Sequence, residues 1–327
     1  MATAYVPNSH PSVTPRWKPY SFPREGLLEA IQTTKLQGEA GLYAGSVPRY
    51  WCTYGGRTLA AHGGFCVAVL MMTAHRHCRE VEVGSNTTIP VSVHTEFLEP
   101  MPPGEFHVRT KLLQGGSRHS LIQAELVPAD PKQTRVYSTA LVRLGPMSSD
   151  NDPNDRQLLP FPIPNRVKDC DRWTDAVYYS VNPPASSIRV FCPNDKGSPL
   201  WSDIFGGQNC RYQWTKLDDD SFFSIEYLPI LADLIPPIPL NYGKEGLKEA
   251  FDHKMPTISL TITFLSSIEK KEWLLTRTTM NRLHNGRFDM STSIIDESGK
   301  VVATSTQLCA MIPRTRRVHS YSHDTRL

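Results

Sequence analysis

A repeat limits what this 327-residue chain can fold into more than any other feature. Phe97-Leu98 recurs as Phe264-Leu265 and Glu105-Phe106 as Glu272-Trp273, in both cases 167 residues later. Arg118/Arg287 and Val136/Val301 pair at offsets of 169 and 165. Four pairs in one order at nearly one offset describe a duplicated unit, with turns of slightly different length absorbing the difference. The length accommodates two such domains of roughly 100–150 residues with a connector.

The unit can be read from its first copy. Gly63-Gly64 opens a stretch, Phe65 to Cys78, that is apolar almost all round and ends among His75, Arg76, His77 and Arg79. Cations in a last turn suit a helix C-terminus, and a helix apolar on every side must be buried under a sheet. Val91, Val93, Thr95 and Phe97 then alternate with Ser92, His94 and Glu96, the period of a strand. Phe106–Leu113, His119–Val127 and Val136–Leu144 continue the series between Pro/Gly or Asp/Pro turns. In the second copy Arg211–Leu217 is a candidate strand. Asp218–Ser221 offers an N-cap for a second apolar helix, Phe222 to Asp233, interrupted by Pro229. Four more strands follow, in PTISLTITFL, EWLLTRTTM, RFDMSTSIID and KVVATSTQLCAMI. The fold class is therefore α+β, a buried helix cradled by a curved antiparallel sheet, twice over. Two such units can cover their exposed edges by joining edge strands.

The expected boundaries are a proline-bearing arm over 1–20, a first domain over 21–145, a linker and irregular insertion over 146–205, a second domain over 206–313 and a basic tail over 314–327. A strand near Ile188–Phe191 is the legible part of the insertion. The net charge of +3 exerts no strong pull toward nucleic acid or membrane. No apolar run approaches the roughly 20 residues of a membrane span, and the N-terminus lacks the apolar core of a secretion signal. The seven cysteines are scattered, odd in number and without a CxxC pair. That suits free thiols in a reducing, cytoplasmic compartment, with neither a structural metal nor a cofactor expected.

One active site surviving in a duplicated fold should show as polar residues where the other copy is apolar. Gln307 lies on a strand face shared with Val301, Ala303, Cys309 and Met311, and its counterpart in the first half is Val142. An amide in such a stripe costs roughly 1–3 kcal/mol unless bonded, so it is either a structural amide tied to backbone or a functional group. Thr257 stands where the first half has Pro90, as a strand-former or as a hydroxyl of the site. Asp233 ends the second helix, where a carboxylate opposes the helix dipole. It is either a solvated end or a functional acid.

The residues LADLIPP (231–237), PTISLTITF (256–264), EWLL (272–275), GRF (286–288) and GKVVATSTQ (299–307) resemble the acyl-CoA thioesterase II group of double-hotdog proteins. So do HGG at 62–64 before an apolar helix and VHTEFLEP at 93–100. The resemblance implies two fused hotdog domains, with an Asp, a Thr and a Gln of the second domain holding the hydrolytic water. Those residues match Asp233, Thr257, fifteen residues before EWLL, and Gln307, eight residues after Gly299. It implies an acyl-CoA or acyl-carrier thioester as substrate, with Asp233 as general base. Gly63 and Gly64 are the candidate oxyanion donors, because helix N-termini present free N–H groups; close helix–sheet packing is their other reading. His94 matches a family histidine and is structural or pocket-lining. The sequence departs from bacterial relatives in the Leu-Ile-Pro-Pro after Asp233 and in lacking an Asp-His pair after Thr257, which puts the acyl preference in doubt.

Two rival functions stay open. One is a hotdog dehydratase, isomerase or cyclase on carrier-bound polyketide, a class that wants a His beside a carboxylate. The other is a non-catalytic acyl-binding protein, which should have lost one of the three polar residues. No GxSxG elbow is present. Arg314, Arg316 and Arg317 are a solvated tail or a contact for carrier phosphates, and Thr325-Arg326-Leu327 keeps a small-basic-Leu pattern of peroxisomal address. A homo-oligomer is open too, although a fused pair already supplies internally the pairing that single hotdogs find by dimerising.

Overall fold

The computed structural model describes residues 22–54, 59–81, 88–116, 118–146, 156–157, 162–173, 182–193, 208–242, 253–268 and 270–313. The basic tail and its Thr325-Arg326-Leu327 end lie outside them.

The first half runs through a helical turn α1 (Leu27–Ala30), strands β1 (Thr34–Lys35) and β2 (Leu42–Val47), and a small hairpin of β3 (Cys52–Tyr54) and β4 (Leu59–Ala61). The long helix α2 (Gly63–Glu80) follows, then β5 (Thr88–Phe97), β6 (Gly104–Gln114), β7 (Ser120–Pro128) and β8 (Ser138–Pro146). The second half contains β9 (Cys170–Trp173), β10 (Ile188–Pro193), β11 (Cys210–Leu217), α3 (Leu228–Asp233), β12 (His253–Lys254), β13 (Thr257–Phe264) and β14 (Leu274–Thr279). It closes with β15 (Leu283–His284), β16 (Arg287–Asp296), β17 (Val301–Ala310) and β18 (Ile312–Pro313).

One antiparallel sheet crosses both halves in the order β1-β2-β6-β7-β8-β5-β13-β17-β16-β14-β11-β10-β9, with β15 beside β16. The duplication is visible in that order, since β2-β6-β7-β8-β5 and β11-β14-β16-β17-β13 mirror one another outward from the β5/β13 seam. Edge strands join there, as edge protection requires. At the seam His94 faces Thr261, its own counterpart 167 residues on, so a local two-fold axis passes between them. Both seam strands carry a bulge at matching places, after Pro90 and after Thr257.

The core gathers on α2. Phe65, Val67, Ala68, Val69, Leu70 and Met71 are fully buried, which is what an all-round apolar helix demands. The helix packs on β5–β8 and, near its start, on α3. Gly64 makes the second contact feasible, because a Cβ there would lie 2.4 Å from the Pro229 carbonyl oxygen.

Four expectations need correction. The second helix, expected over Phe222–Asp233, begins only at Leu228 after a single 3-10 turn, Ile225–Tyr227; Pro229 then sits in its first turn, where no intrahelical N–H is required. Phe223 is held instead by a β-bridge to Lys271. Asp218–Asp220 do not cap the helix: Arg24, Arg189 and Lys216 pair with Asp218 and Asp220. Within the 146–205 insertion, the expected strand near Ile188–Phe191 is present as β10, and the described residues add β9 beside it at the sheet edge. Its Pro164 carbonyl accepts from Trp214 Nε1 (2.9 Å) and the Arg166 guanidinium lies 3.9 Å over Trp273, so this segment buries the outer face of the second half's sheet. At the end of α2, His77 is buried and bonds Tyr43 Oη at 3.2 Å; desolvation lowers its pKa, so it is no cationic cap.

Candidate functional site

The contact between α3 and the first turn of α2 places the Asp233 carboxylate at the N-terminus of the longer helix. Asp233 Oδ2 accepts the Gly64 N–H at 2.9 Å, and Oδ1 accepts the Thr257 hydroxyl at 3.1 Å. A carboxylate there meets the positive end of the α2 dipole and an N–H that no helix carbonyl can satisfy. Its side chain keeps 10 % exposure, so the charge is sheltered without being sealed. The approach depends on Gly63 as well, where a Cβ would lie 2.6 Å from Oδ2.

Thr257 reaches Asp233 from the start of β13, beside the bulge that breaks the strand's register. Gln307 points inward from β17. Its Nε2 donates to the Ala232 carbonyl at 2.7 Å and its Oε1 accepts from the Cys309 thiol at 3.7 Å. The structural alternative for Gln307, an amide tied to backbone, is thus realised at the peptide that carries Asp233. Burial, reinforced by Asp233, pushes the Cys309 thiol up to about 12, and raises that of Cys66 too; both stay protonated and are poor nucleophiles.

Sequence reasoning passed over His62, except as part of HGG. It is the N-cap of α2, its Nδ1 accepting the Gly64 N–H at 3.1 Å and lying 3.6 Å from Asp233 Oδ2. Desolvation lowers its pKa against the pull of Asp233, so the ring is neutral. A polar residue directly before two glycines and an apolar run was the available signal.

Two candidates need restating. The Gly64 N–H is engaged with the carboxylate and with His62 rather than free for an oxyanion; Gly63 carries the adjacent first-turn N–H. His94 does not join the cluster. Strand alternation turns Val93 and Thr95 to the core and His94 to the opposite, solvent face, where it bonds Thr261 Oγ1 (2.7 Å) and Glu96 (3.1 Å).

The mirror location in the first half is apolar. Val142 pairs with Val93 as Gln307 pairs with Leu260, and Leu144 pairs with Pro90 as Cys309 pairs with Thr257. Among the described residues, the places of Thr257 and Gln307 are taken in the first half by Pro90 and Val142.

The model of the acyl-CoA thioesterase N-terminal domain matches residues 47–144, and that of the acyl-CoA thioesterase C-terminal domain matches residues 165–311. The chain belongs to the acyl-CoA thioesterase family. In this acyl-CoA thioesterase family member the carboxylate comes from the C-terminal domain and the helix that receives it from the N-terminal one. The fold is a double hotdog. A protein assigned as thioesterase II from Thermobifida fusca YX superposes with a TM-score of 0.69 at 20% identity, covering 89% of this chain and 98% of its own. A hot dog fold protein of unknown function from Alicyclobacillus acidocaldarius gives 0.69 at 17% (88% and 98%), and an acyl-CoA thioesterase II from Mycobacterium marinum 0.63 at 15% (88% and 98%). A sequence comparison with curated proteins found no match. No described helix is long and apolar enough to cross a membrane.

Proposed function

We propose that this protein hydrolyses acyl thioesters, carried on coenzyme A or on a carrier protein, with Asp233 as general base. The observation that carries the reading is the Asp233 carboxylate, held between the Gly64 N–H and the Thr257 hydroxyl at a helix N-terminus. Asp233 takes a proton from a water as its oxygen attacks the thioester carbonyl. Thr257 and the second N–H of the Gln307 amide orient that water. The oxyanion gathers at the first turn of α2, with Gly63 N–H as donor. The C–S bond then breaks, and the thiolate takes the proton from Asp233. Asp233→Asn should lower thiol release at least ~100-fold, the lower end of general-base effects, while the protein stays folded. An unchanged rate would overturn the assignment.

A second reading has its own observation. A hotdog dehydratase or isomerase pairs a His with a carboxylate, and His62 lies 3.6 Å from Asp233. Against it, His62 Nδ1 is committed to the Gly64 N–H and the ring is enclosed. A 3-hydroxyacyl thioester separates the two: hydrolysis frees thiol, whereas dehydration builds an absorbing enoyl thioester with no thiol released. The acyl-binding alternative predicts neither product.

A further inference from the structure

Asp233 is not alone at Gly63. Around the point where a Gly63 Cβ would stand, Asp233 Oδ2 lies at 2.6 Å and Phe97 Cζ at 3.3 Å. The carboxylate and the far edge of an aromatic ring therefore flank one spot at the first turn of α2. A thioester carbonyl held between Asp233 and the Gly63 N–H lies against that ring.

Phe97 and Phe264 are the same residue at the same place in the two halves, at the ends of the seam strands β5 and β13. Phe264 is buried at 5% exposure, whereas Phe97 packs on the main core with part of its surface uncovered. The seam ladder ends at the pair Glu96 and Ser259, so the next residues of its strands are Phe97 and Ile258, both partly exposed. Leu98 beyond them is exposed, and the acids Glu96 and Glu99 stand beside it, paired with His94 and Arg135. This side offers an apolar wall and no attraction for an anion.

Across Thr257 the character changes. The row Thr257, Cys309, Phe288 and Leu283 steps from β13 through β17 and β16 to β15. His284 and Arg287 pair at its far end and are exposed, as is Lys254, three residues before Thr257. A pantetheine arm ends in phosphate on either carrier, and phosphate is drawn to such cations. The acyl group then takes the Phe97 side.

We propose that Phe97 is a specificity-determining residue that restricts the carbon next to the thioester carbonyl. Given the hydrolase reading above, the preferred substrates are acyl groups unbranched at that carbon, because a methyl there would meet Phe97 Cζ.

The test uses S-(2-oxoalkyl)pantetheines, ketones that keep the carbonyl and cannot be hydrolysed, either straight or with one methyl on the acyl side or the sulfur side of it. Calorimetric titration of the full chain should show the straight ketone binding at least ~10-fold tighter than the acyl-branched one, the effect of one misfit methyl. Leucine lacks the outer ring atoms, so in Phe97→Leu that ratio should fall below about 3-fold. Phe97→Ala gives the same reading if the leucine variant is misfolded. No discrimination in the wild type, or a ratio that persists in both variants, would overturn the proposal. So would relief confined to the sulfur-side methyl, which would put the ring against the arm instead. Binding is read without turnover, so failure of the hydrolase reading shows separately, as absent thiol release from thioesters whose ketone analogues still bind in this pattern.

Discussion

Thr257 occupies in the second half the place that Pro90 occupies in the first, each immediately before a bulge in a seam strand. The fold therefore requires no hydroxyl at this position. Only the carboxylate beside it does. Thr257→Val should reduce kcat for thioester hydrolysis by about 10-fold or more, roughly 1.4 kcal/mol of barrier, with little change in melting temperature. Thr257→Ser should restore most of the rate. If serine and valine behave alike, the hydroxyl has no part in holding Asp233.

The two glycines of α2 should fail in different ways. Alanine at 63 puts a Cβ 2.6 Å from the Asp233 carboxylate, a side-chain end that can swing away. Gly63→Ala should depress activity far more than stability. Alanine at 64 meets the Pro229 carbonyl at 2.4 Å and the Ile230 Cα at 2.9 Å, both main-chain atoms. Gly64→Ala should lower unfolding free energy by about 1–3 kcal/mol, as overpacking does. Denaturant melts and turnover measured side by side on both variants check the split.

His62 gives a pH dependence of definite sign. Its folded pKa is depressed by burial, so below its ordinary value near 6.5 the unfolded chain binds the proton that the folded chain refuses. The stability due to neutral His62 is complete above that value and is lost as pH falls below it. His62→Asn keeps a side-chain acceptor for the cap. Thermal melts of the asparagine variant should lose less between pH 7.5 and 5.5 than those of the wild type; equal losses would assign the slope to the other titrating groups, including His77, whose pKa is also lowered.

Gln213 is buried on β11, and its Nε2 has no hydrogen-bond partner among the described residues, so the amide should weaken the fold that holds it. Gln213→Leu should raise stability by about 1 kcal/mol, the lower end of the penalty for a buried unmade hydrogen bond, and raise the melting temperature by about 2 °C. A lower melting temperature would show the amide bonded in solution.

The strands were legible because their alternation is strict. Val91–Phe97 and PTISLTITF read as strands on period alone, and the 165-residue offset of Val136 and Val301 anticipated the equivalence of Val142 with Gln307 before any register was known. The second helix was overread because Phe222 and Phe223 extend an apolar run that periodicity cannot distinguish from helix. The 162–166 segment read as linker because prolines and polar residues mark loops. Nothing local shows that it covers Trp214 and Trp273. On β11 the inward residues are Arg211, Gln213 and Thr215, while Tyr212 and Trp214 face outward. A polar-in, aromatic-out strand inverts the usual rule, so Gln213 could not be placed without the sheet. Asp233, Thr257 and Gln307 stood out in the sequence as polar residues where the other half or the local pattern is apolar, but their joint role came only from the family resemblance, since their convergence depends on three segments brought together by folding.

The Asp233 carboxylate and the helix that receives it come from opposite halves, joined through one continuous sheet. In an assembly of separate subunits such a pairing would exist only above the concentration at which the partners associate. Here the halves share one backbone, so the pairing is intramolecular and independent of how much protein is present. Specific activity per chain should stay level on dilution.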